Sequence, residues 1–111
     1  MTMTIKNKDG VSIVSLSGTI MHADISTIRN RLEDLMNNNK CNIVLNLQNV
    51  SYLSSMLLAV FIDVKSIATK KKGDLKLANA NDLIKNLFEM TKLVKKIELY
   101  DTVEDACKAF S

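Results

Sequence analysis

The sequence predicts an α/β domain with the element order ββαβαβαβα, in which a mixed central sheet packs against helices. An Asp9-Gly10 pair, which is a strong hairpin signal, separates two short segments where apolar and polar residues alternate. After the hairpin, apolar segments of strand length alternate with segments of helical periodicity. Strands separated by helices pair in parallel through right-handed crossovers, whereas the hairpin is antiparallel, so the sheet should be mixed.

The first half of the chain should contain the hairpin, one helix and one further strand. The hairpin strands are expected over Met3–Lys6 and Val11–Ser17. Asp24 can cap a helix whose apolar residues fall on one side at helical spacing, namely Ile25, Ile28, Leu32, Leu35 and Met36. The polar run Asn37–Lys40 ends that helix, and Cys41–Leu47 is expected as a buried strand.

The second half should contain three helices and two strands. A helix is predicted from about Ser55 to Lys71, with Gly73 in the left-handed conformation that ends many helices. The remaining elements are expected at Leu75–Ala78 (strand), Asn81–Met90 (helix), Ile97–Tyr100 (strand) and Thr102–Phe110 (helix). The helix after Asn81 should turn three apolar side chains inward: Leu83, Leu87 and Phe88.

Length and composition indicate a single domain over residues 1–111. With 47% hydrophobic and 24% charged residues, the chain can build one core and is too short for two. A net charge of +3 and 5% aromatic residues do not favour direct nucleic-acid binding. There is no apolar window of about 18 residues and no signal-peptide core, so we expect a cytoplasmic protein without membrane insertion. Cys41 and Cys107 lack metal-ligand spacing, and neither metal nor cofactor is expected.

The segment Val44–Ala59, reading VLNLQNVSYLSSMLLA, is the most informative part of the chain. A short apolar strand leads through a polar turn into an apolar helix start, which places Ser54 and Ser55 at a helix N-terminus. Free backbone N–H groups and the helix dipole favour an added negative charge there, so a serine could act as a phosphorylation switch. Serine is also a preferred helix cap without any regulation, and both interpretations stay open.

The helix that follows carries more apolar residues than one core-facing side needs. Six of them suffice to pack it on the sheet: Leu57, Val60, Phe61, Val64, Ile67 and Ala68. Leu58 and Ile62 lie on a flank shared with Lys65 and Thr69, which makes them candidates for an apolar protein-binding surface beside Ser55. Alternatively, a neighbouring helix covers them.

The element order, the segment LNLQNVSYLSS and the later segment ANANDLIKNLFEMTKLVKKIELYDTVEDA resemble the STAS domain of bacterial anti-sigma-factor antagonists. The resemblance covers nearly the whole chain. In that family a strand leads to a turn written Asp-Ser-Ser/Thr-Gly, and the first serine after the Asp is phosphorylated by a partner kinase that is also the anti-sigma factor. Aligned on SYLSSMLLAV, the four motif positions fall on Ser54, Ser55, Met56 and Leu57. Only the phosphorylatable serine, Ser55, matches the motif.

This sequence matches a second family hallmark more closely, namely Leu-Phe followed by Met-Ser/Thr-Gly-Leu. The corresponding residues are Leu87, Phe88, Met90, Thr91, Lys92 and Leu93, with Lys92 in place of the glycine. Near the serine turn, however, Met21 occupies the position of a common family acid, and Ser54 replaces the motif's aspartate. Fewer negative charges make a phosphate easier to accommodate, whereas the lost acids remove groups that could orient a kinase. Leu57 in place of glycine adds bulk that should alter partner fit.

The resemblance implies a non-enzymatic regulatory protein that binds an anti-sigma factor, itself a serine kinase, and so frees a sigma factor. Phosphate on Ser55, or on Ser54 as the second choice, would break that contact. The partner-binding residues are expected in the serine turn, the helix after it and the loop before the first helix: Ser54, Ser55, Met56, Leu58, Ala59, Ile62, Met21 and His22.

Two other classes of function are alternatives to this one. STAS domains also serve as accessory subunits of membrane transport machines, including phospholipid transporters, where the same helix face docks on an ATPase; loss of the acidic motif residues suits this alternative. An enzyme is disfavoured because His22 is the only histidine, no Gly-rich phosphate loop occurs, and the serines lack an evident base. The sequence leaves the oligomeric state open.

Overall fold

The computed structural model describes residues 1–110, except for the side chain of Val94, and within them the chain forms one five-stranded sheet and four α-helices. The strands are β1 Thr2–Lys8, β2 Val11–Ser17, β3 Asn42–Asn49, β4 Asp74–Ala78 and β5 Leu99–Tyr100. The helices are α1 His22–Asn37, α2 Ser55–Lys70, α3 Asp82–Met90 and α4 Val103–Lys108, with a short 3₁₀ helix at Leu93–Lys95.

The strands follow one another across the sheet in chain order, from β1 to β5. β1 pairs antiparallel with β2 across the Asp9-Gly10 turn, and every other neighbouring pair is parallel. The predicted order ββαβαβαβα and the mixed sheet are therefore confirmed. Because β2, β3 and β4 are parallel, the loops that lead from them into α1, α2 and α3 lie at the same end of the sheet.

The two faces of the sheet are covered unequally. The main core joins alternate residues of β2, β3 and β4 to apolar side chains of α1, α2 and α3, including the fully buried Leu32, Phe61 and Phe88. On the opposite face, α4 packs on a smaller cluster formed by Val11, Val44, Ala78 and Ala106. The helix starts that follow β2, β3 and β4 thus rest on the better-packed side of the molecule.

The start of α1 differs from the sequence prediction. Met21, and not Asp24, is the N-cap residue, and the helix begins at His22. Asp24 lies in the first turn, where its carboxylate accepts a hydrogen bond from the Met21 N–H at 2.8 Å. An acid three residues into a helix can bond back to the N-cap backbone, so Asp24 stabilises the helix start from inside the first turn.

The prediction that Gly73 takes the left-handed conformation at the end of α2 is wrong. Lys72 takes it instead, with φ 68°. Gly73 is required for a different reason, because a Cβ atom there would lie 2.1 Å from the carbonyl oxygen of Cys41. The glycine therefore allows the chain that leaves α2 to pass close to the start of β3.

α3 is rotated relative to the sequence prediction. Leu83, predicted to point inward, is exposed, Leu87 is only half-buried, and Ile84 is buried together with Phe88. Ile84 and Phe88 are four residues apart and share one helix face, whereas Leu83 lies about 100° away from Ile84. The Asn81 cap begins the helix at Asp82, and apolar side chains at helical spacing alone do not determine which of them faces the sheet.

Candidate functional site

The two adjacent serines at the start of α2 have different structural roles. Ser54 is the N-cap residue, with φ −76° and ψ 159°, and its hydroxyl oxygen accepts a hydrogen bond from the Leu57 N–H at 3.2 Å. Its carbonyl oxygen also accepts a hydrogen bond from the Leu58 N–H. Ser55 is the first helical residue and is exposed. The capping bond uses Ser54, which leaves the Ser55 hydroxyl available to a partner.

The start of α2 can accommodate a negative charge. The N–H groups of Ser55 and Met56 belong to the first turn, where no preceding helical carbonyl can accept from them. The first turn contains no acidic residue. The positive end of the helix dipole is therefore uncompensated by a side chain, and a phosphate on Ser55 would lie next to it.

Large apolar side chains are exposed around this helix start. Met21, Tyr52 and Met56 are 62%, 57% and 52% exposed, and they follow β2 and β3 at the same end of the sheet. His22 and Ala59 are exposed as well. We call this set the Ser55 surface: Met21, His22, Tyr52, Ser54, Ser55, Met56 and Ala59.

A shallow groove of about 340 Å³ between α1 and α2 forms part of the Ser55 surface. His22, Met56 and Ala59 line it. Further along the two helices, an ion pair joins Arg29 on α1 to Asp63 on α2 at 2.9 Å. Buried residues of both helices also belong to the main core, and this packing holds the exposed residues of α1 and α2 in a defined arrangement.

The fold separates the residues predicted for partner binding. His22, Met56 and Ala59 line one groove, and Met21 directly precedes His22 at the start of α1. Leu58, in contrast, is 6% exposed and belongs to the main core, and Ile62 is half-buried against that core. Burial in the main core therefore removes Leu58 from the accessible surface. Sequence reasoning missed Tyr52, although a tyrosine inside a polar turn is itself a signal for an exposed contact residue.

Within residues 1–110, no group of three or more His, Cys, Asp or Glu side chains is arranged to hold a metal ion. None of the helices in this range is long and apolar enough to cross a membrane.

A protein-family model, the STAS domain, matches residues 2–106 of this chain. The chain belongs to the STAS family. Among curated relatives of this STAS domain, the anti-sigma F factor antagonist of Paenibacillus polymyxa is 29% identical over 98 residues, which cover 87% of this chain and 84% of that protein.

Solved structures share the fold of this STAS domain. An anti-sigma factor antagonist from Mycobacterium paratuberculosis superposes with a TM-score of 0.87 and 25% identity, covering 98% of this chain and 92% of that one. The phosphorylated form of the Bacillus cell-fate determinant SpoIIAA superposes with a TM-score of 0.77 and 15% identity, covering 99% of this chain and 100% of that one. The fold identified from the sequence is therefore confirmed.

Proposed function

We propose that this STAS domain is an anti-sigma factor antagonist, which binds an anti-sigma factor through the Ser55 surface and so frees a sigma factor. The observation that carries the proposal is the exposure of Ser55 at the first position of α2, next to the exposed Met56, which lines a groove together with His22. Exposed apolar side chains on a rigid helix start are typical of the centre of a protein interface. The names of two related proteins, those from Paenibacillus polymyxa and Mycobacterium paratuberculosis, support this assignment.

In this proposal, the anti-sigma factor is also the kinase that switches the contact off. The γ-phosphoryl group of ATP is transferred to Ser55 Oγ, the hydroxyl proton is lost, and ADP leaves. Ser55 is the acceptor because the Ser54 hydroxyl already caps α2. The solved structure of SpoIIAA in its phosphorylated form, which has the same fold, supports a switch of this kind.

Phosphate blocks binding without unfolding the domain. A phosphoserine carries close to two negative charges at neutral pH, and these would have to lose their hydration against Met21 and Met56 in the interface. The helix start itself tolerates the charge, because its N–H groups and dipole are favourable to it. The switch therefore acts on the interface and not on the stability of the fold.

A capture experiment from a lysate of the native organism tests the proposal. The baits are the wild-type domain, Ser55→Asp and Ser66→Asp, and bound proteins are identified by mass spectrometry. Ser66 is a matched control because it is an exposed serine on the same helix, about 16 Å further along at 1.5 Å per residue. We expect wild type and Ser66→Asp to retain a small ATP-binding protein that Ser55→Asp does not retain.

Titration of that purified protein should then show a dissociation constant raised at least about tenfold by Ser55→Asp, which corresponds to about 1.4 kcal/mol of binding free energy. Ser66→Asp should raise it about twofold or less. Equal binding by all three baits contradicts the switch and indicates a constitutive adaptor. A transporter ATPase as the retained protein contradicts the sigma-factor role and supports the accessory-subunit alternative.

A further inference from the structure

The loop that leads from β3 into α2 is anchored at two points and exposed between them. Val50 and Leu53 are buried in the main core. Ser51 and Tyr52, which lie between these anchors, are exposed. Two buried side chains alone leave the intervening peptide units free to rotate, so the direction of the Tyr52 ring depends on what holds the exposed middle of the loop.

Asn81, at the start of α3, contacts this exposed middle. Its side-chain Nδ2 donates to the Ser51 carbonyl oxygen at 3.0 Å and to the Val50 carbonyl oxygen at 3.4 Å. The oxygen of the same side chain accepts from the Ile84 N–H at 2.9 Å and so caps α3. One amide therefore joins the start of α3 to the loop before α2 through its two opposite ends.

We infer that Asn81 is a positioning residue for the Ser55 surface: its amide NH₂ group fixes the loop that presents Tyr52 and the start of α2 to the anti-sigma factor. This inference rests on the proposed function. We call the two hydrogen bonds from Asn81 Nδ2 to the loop the clamp. A loop already held in its binding conformation loses less conformational freedom on association, so loss of the clamp should weaken binding. The capping role of Asn81 needs only its oxygen, whereas the positioning role needs only its NH₂ group.

This division allows the two roles to be tested separately. Asn81→Asp keeps the oxygen that caps α3 and removes the NH₂ donors, and an acid is favourable at a helix N-terminus. Asn81→Ser makes the same test without adding a charge, because serine is also a good cap. Asn38→Asp is a matched control, since Asn38 Nδ2 donates to the Asp34 carbonyl oxygen at 2.8 Å beyond the C-terminal end of α1, away from the Ser55 surface.

Three quantities are measured on the full chain: the urea midpoint, the NMR order parameters of the amides of residues 51–54, and the dissociation constant for the anti-sigma factor retained by wild type. For both Asn81 variants we expect a midpoint close to that of wild type, lower order parameters in the loop, and a dissociation constant raised about threefold to tenfold. Asn38→Asp should leave the loop order parameters and the dissociation constant unchanged.

Order parameters that stay at the wild-type level in both Asn81 variants overturn the clamp. Order parameters that fall while the dissociation constant stays constant overturn its role in binding. A wild-type chain that binds no anti-sigma factor overturns the proposed function, and the order parameters then still decide whether Asn81 holds the loop. The two failures are therefore distinguishable.

Discussion

Ser54 and Ser55 are chemically identical neighbours whose roles differ because one position lies outside the helix and the next lies inside it. The N-cap residue has extended backbone angles, and its hydroxyl can reach the amide three residues on. The following residue already has helical backbone angles, and the capping bond does not involve its hydroxyl. The helix cap is therefore provided by Ser54, and the proposed phosphorylation falls on its neighbour Ser55.

Alanine substitutions should separate these two roles. We expect Ser54→Ala to lower the free energy of unfolding by about 1 kcal/mol, because the Leu57 N–H loses its acceptor. Ser55→Ala should change it by less than about 0.5 kcal/mol, as is usual for an exposed position without a structural bond. Urea titrations of both variants against wild type measure the difference. A larger loss for Ser55→Ala than for Ser54→Ala would contradict the assignment of the cap.

Between elements, a charged cluster joins β4 to α2, to residue 98 before β5, and to the chain after α4. The Lys76 side chain is buried, and its Nζ lies 2.7 Å from Glu98 Oε1, 3.1 Å from Asp74 Oδ2 and 5.0 Å from the ring centroid of Phe110. Asp74 also pairs with Lys65 from α2. A buried ammonium group is tolerated only when it is paired in this way, so the cluster constrains how these elements pack.

Pairing in this cluster outweighs the cost of burial. Burial alone would raise the pKa of Asp74, but hydrogen bonds from Lys65, Lys76 and the Leu75 N–H lower it below its ordinary value. Burial would likewise lower the pKa of Lys76, but hydrogen bonds to Glu98 and Asp74 raise it. Both groups are therefore charged in the folded protein near neutral pH.

Asp74 should contribute to the pH dependence of stability on the acid side. Because the pKa of Asp74 is lower in the folded than in the unfolded chain, its stabilisation is present above about pH 4 and is lost as the pH falls through the folded pKa. We expect Asp74→Asn to have a lower free energy of unfolding than wild type at pH 7. This difference in free energy should narrow below about pH 4, and urea titrations from pH 7 to pH 3 measure it.

Glu89→Gln is the control for that series, because Glu89 is exposed and makes no ion pair among residues 1–110. The difference in free energy of unfolding between Glu89→Gln and wild type should not show the narrowing expected for Asp74→Asn. If the difference for Asp74→Asn instead stays constant down to pH 3, Asp74 stabilises the fold by packing and not through its charge.

At the scale of the whole molecule, the element order was predictable because local patterns carry it. The hairpin turn, the alternating strands and the separating helices are each encoded in adjacent residues. The exact ends of the helices and the faces that they turn to the sheet were not predictable from local patterns, because contacts between distant segments decide them. Gly73 is required by its approach to Cys41, 32 positions earlier in the sequence, and Leu83 is exposed because Ile84 faces the sheet.

The candidate site was predictable in part for the same reason. The position of Ser54 and Ser55 at a helix start follows from the local sequence. Met21 and Tyr52 lie at the same end of the sheet as these serines because parallel pairing brings the loops after β2 and β3 to that end. The burial of Leu58 depends on how α2 packs in the core, which helical spacing alone leaves open.

The uneven cover of the sheet predicts that its two sides differ in local stability. α4 has six residues, and its Ala106 packs on only three buried side chains of the sheet, whereas β2 and β3 carry the main core on their other face. A short helix with few buried contacts should open without global unfolding. The amides of Ala106 and Ala109, which are bonded to Thr102 and Asp105 carbonyls, should then exchange with a lower opening free energy than that of Leu45.

Native-state hydrogen exchange in low urea measures these opening free energies, and Ala106→Gly should lower those of α4 by at least about 1 kcal/mol, because glycine is a poor helix former and the buried methyl group of Ala106 is lost. Since α4 lies on the opposite face of the sheet from α1 and α2, the same variant should bind the anti-sigma factor as wild type does. Equal opening free energies for α4 and β3 amides would instead mean that α4 unfolds only with the whole domain. Weakened binding by Ala106→Gly would show that the two faces are coupled, because a change at α4 would then reach the Ser55 surface through the sheet.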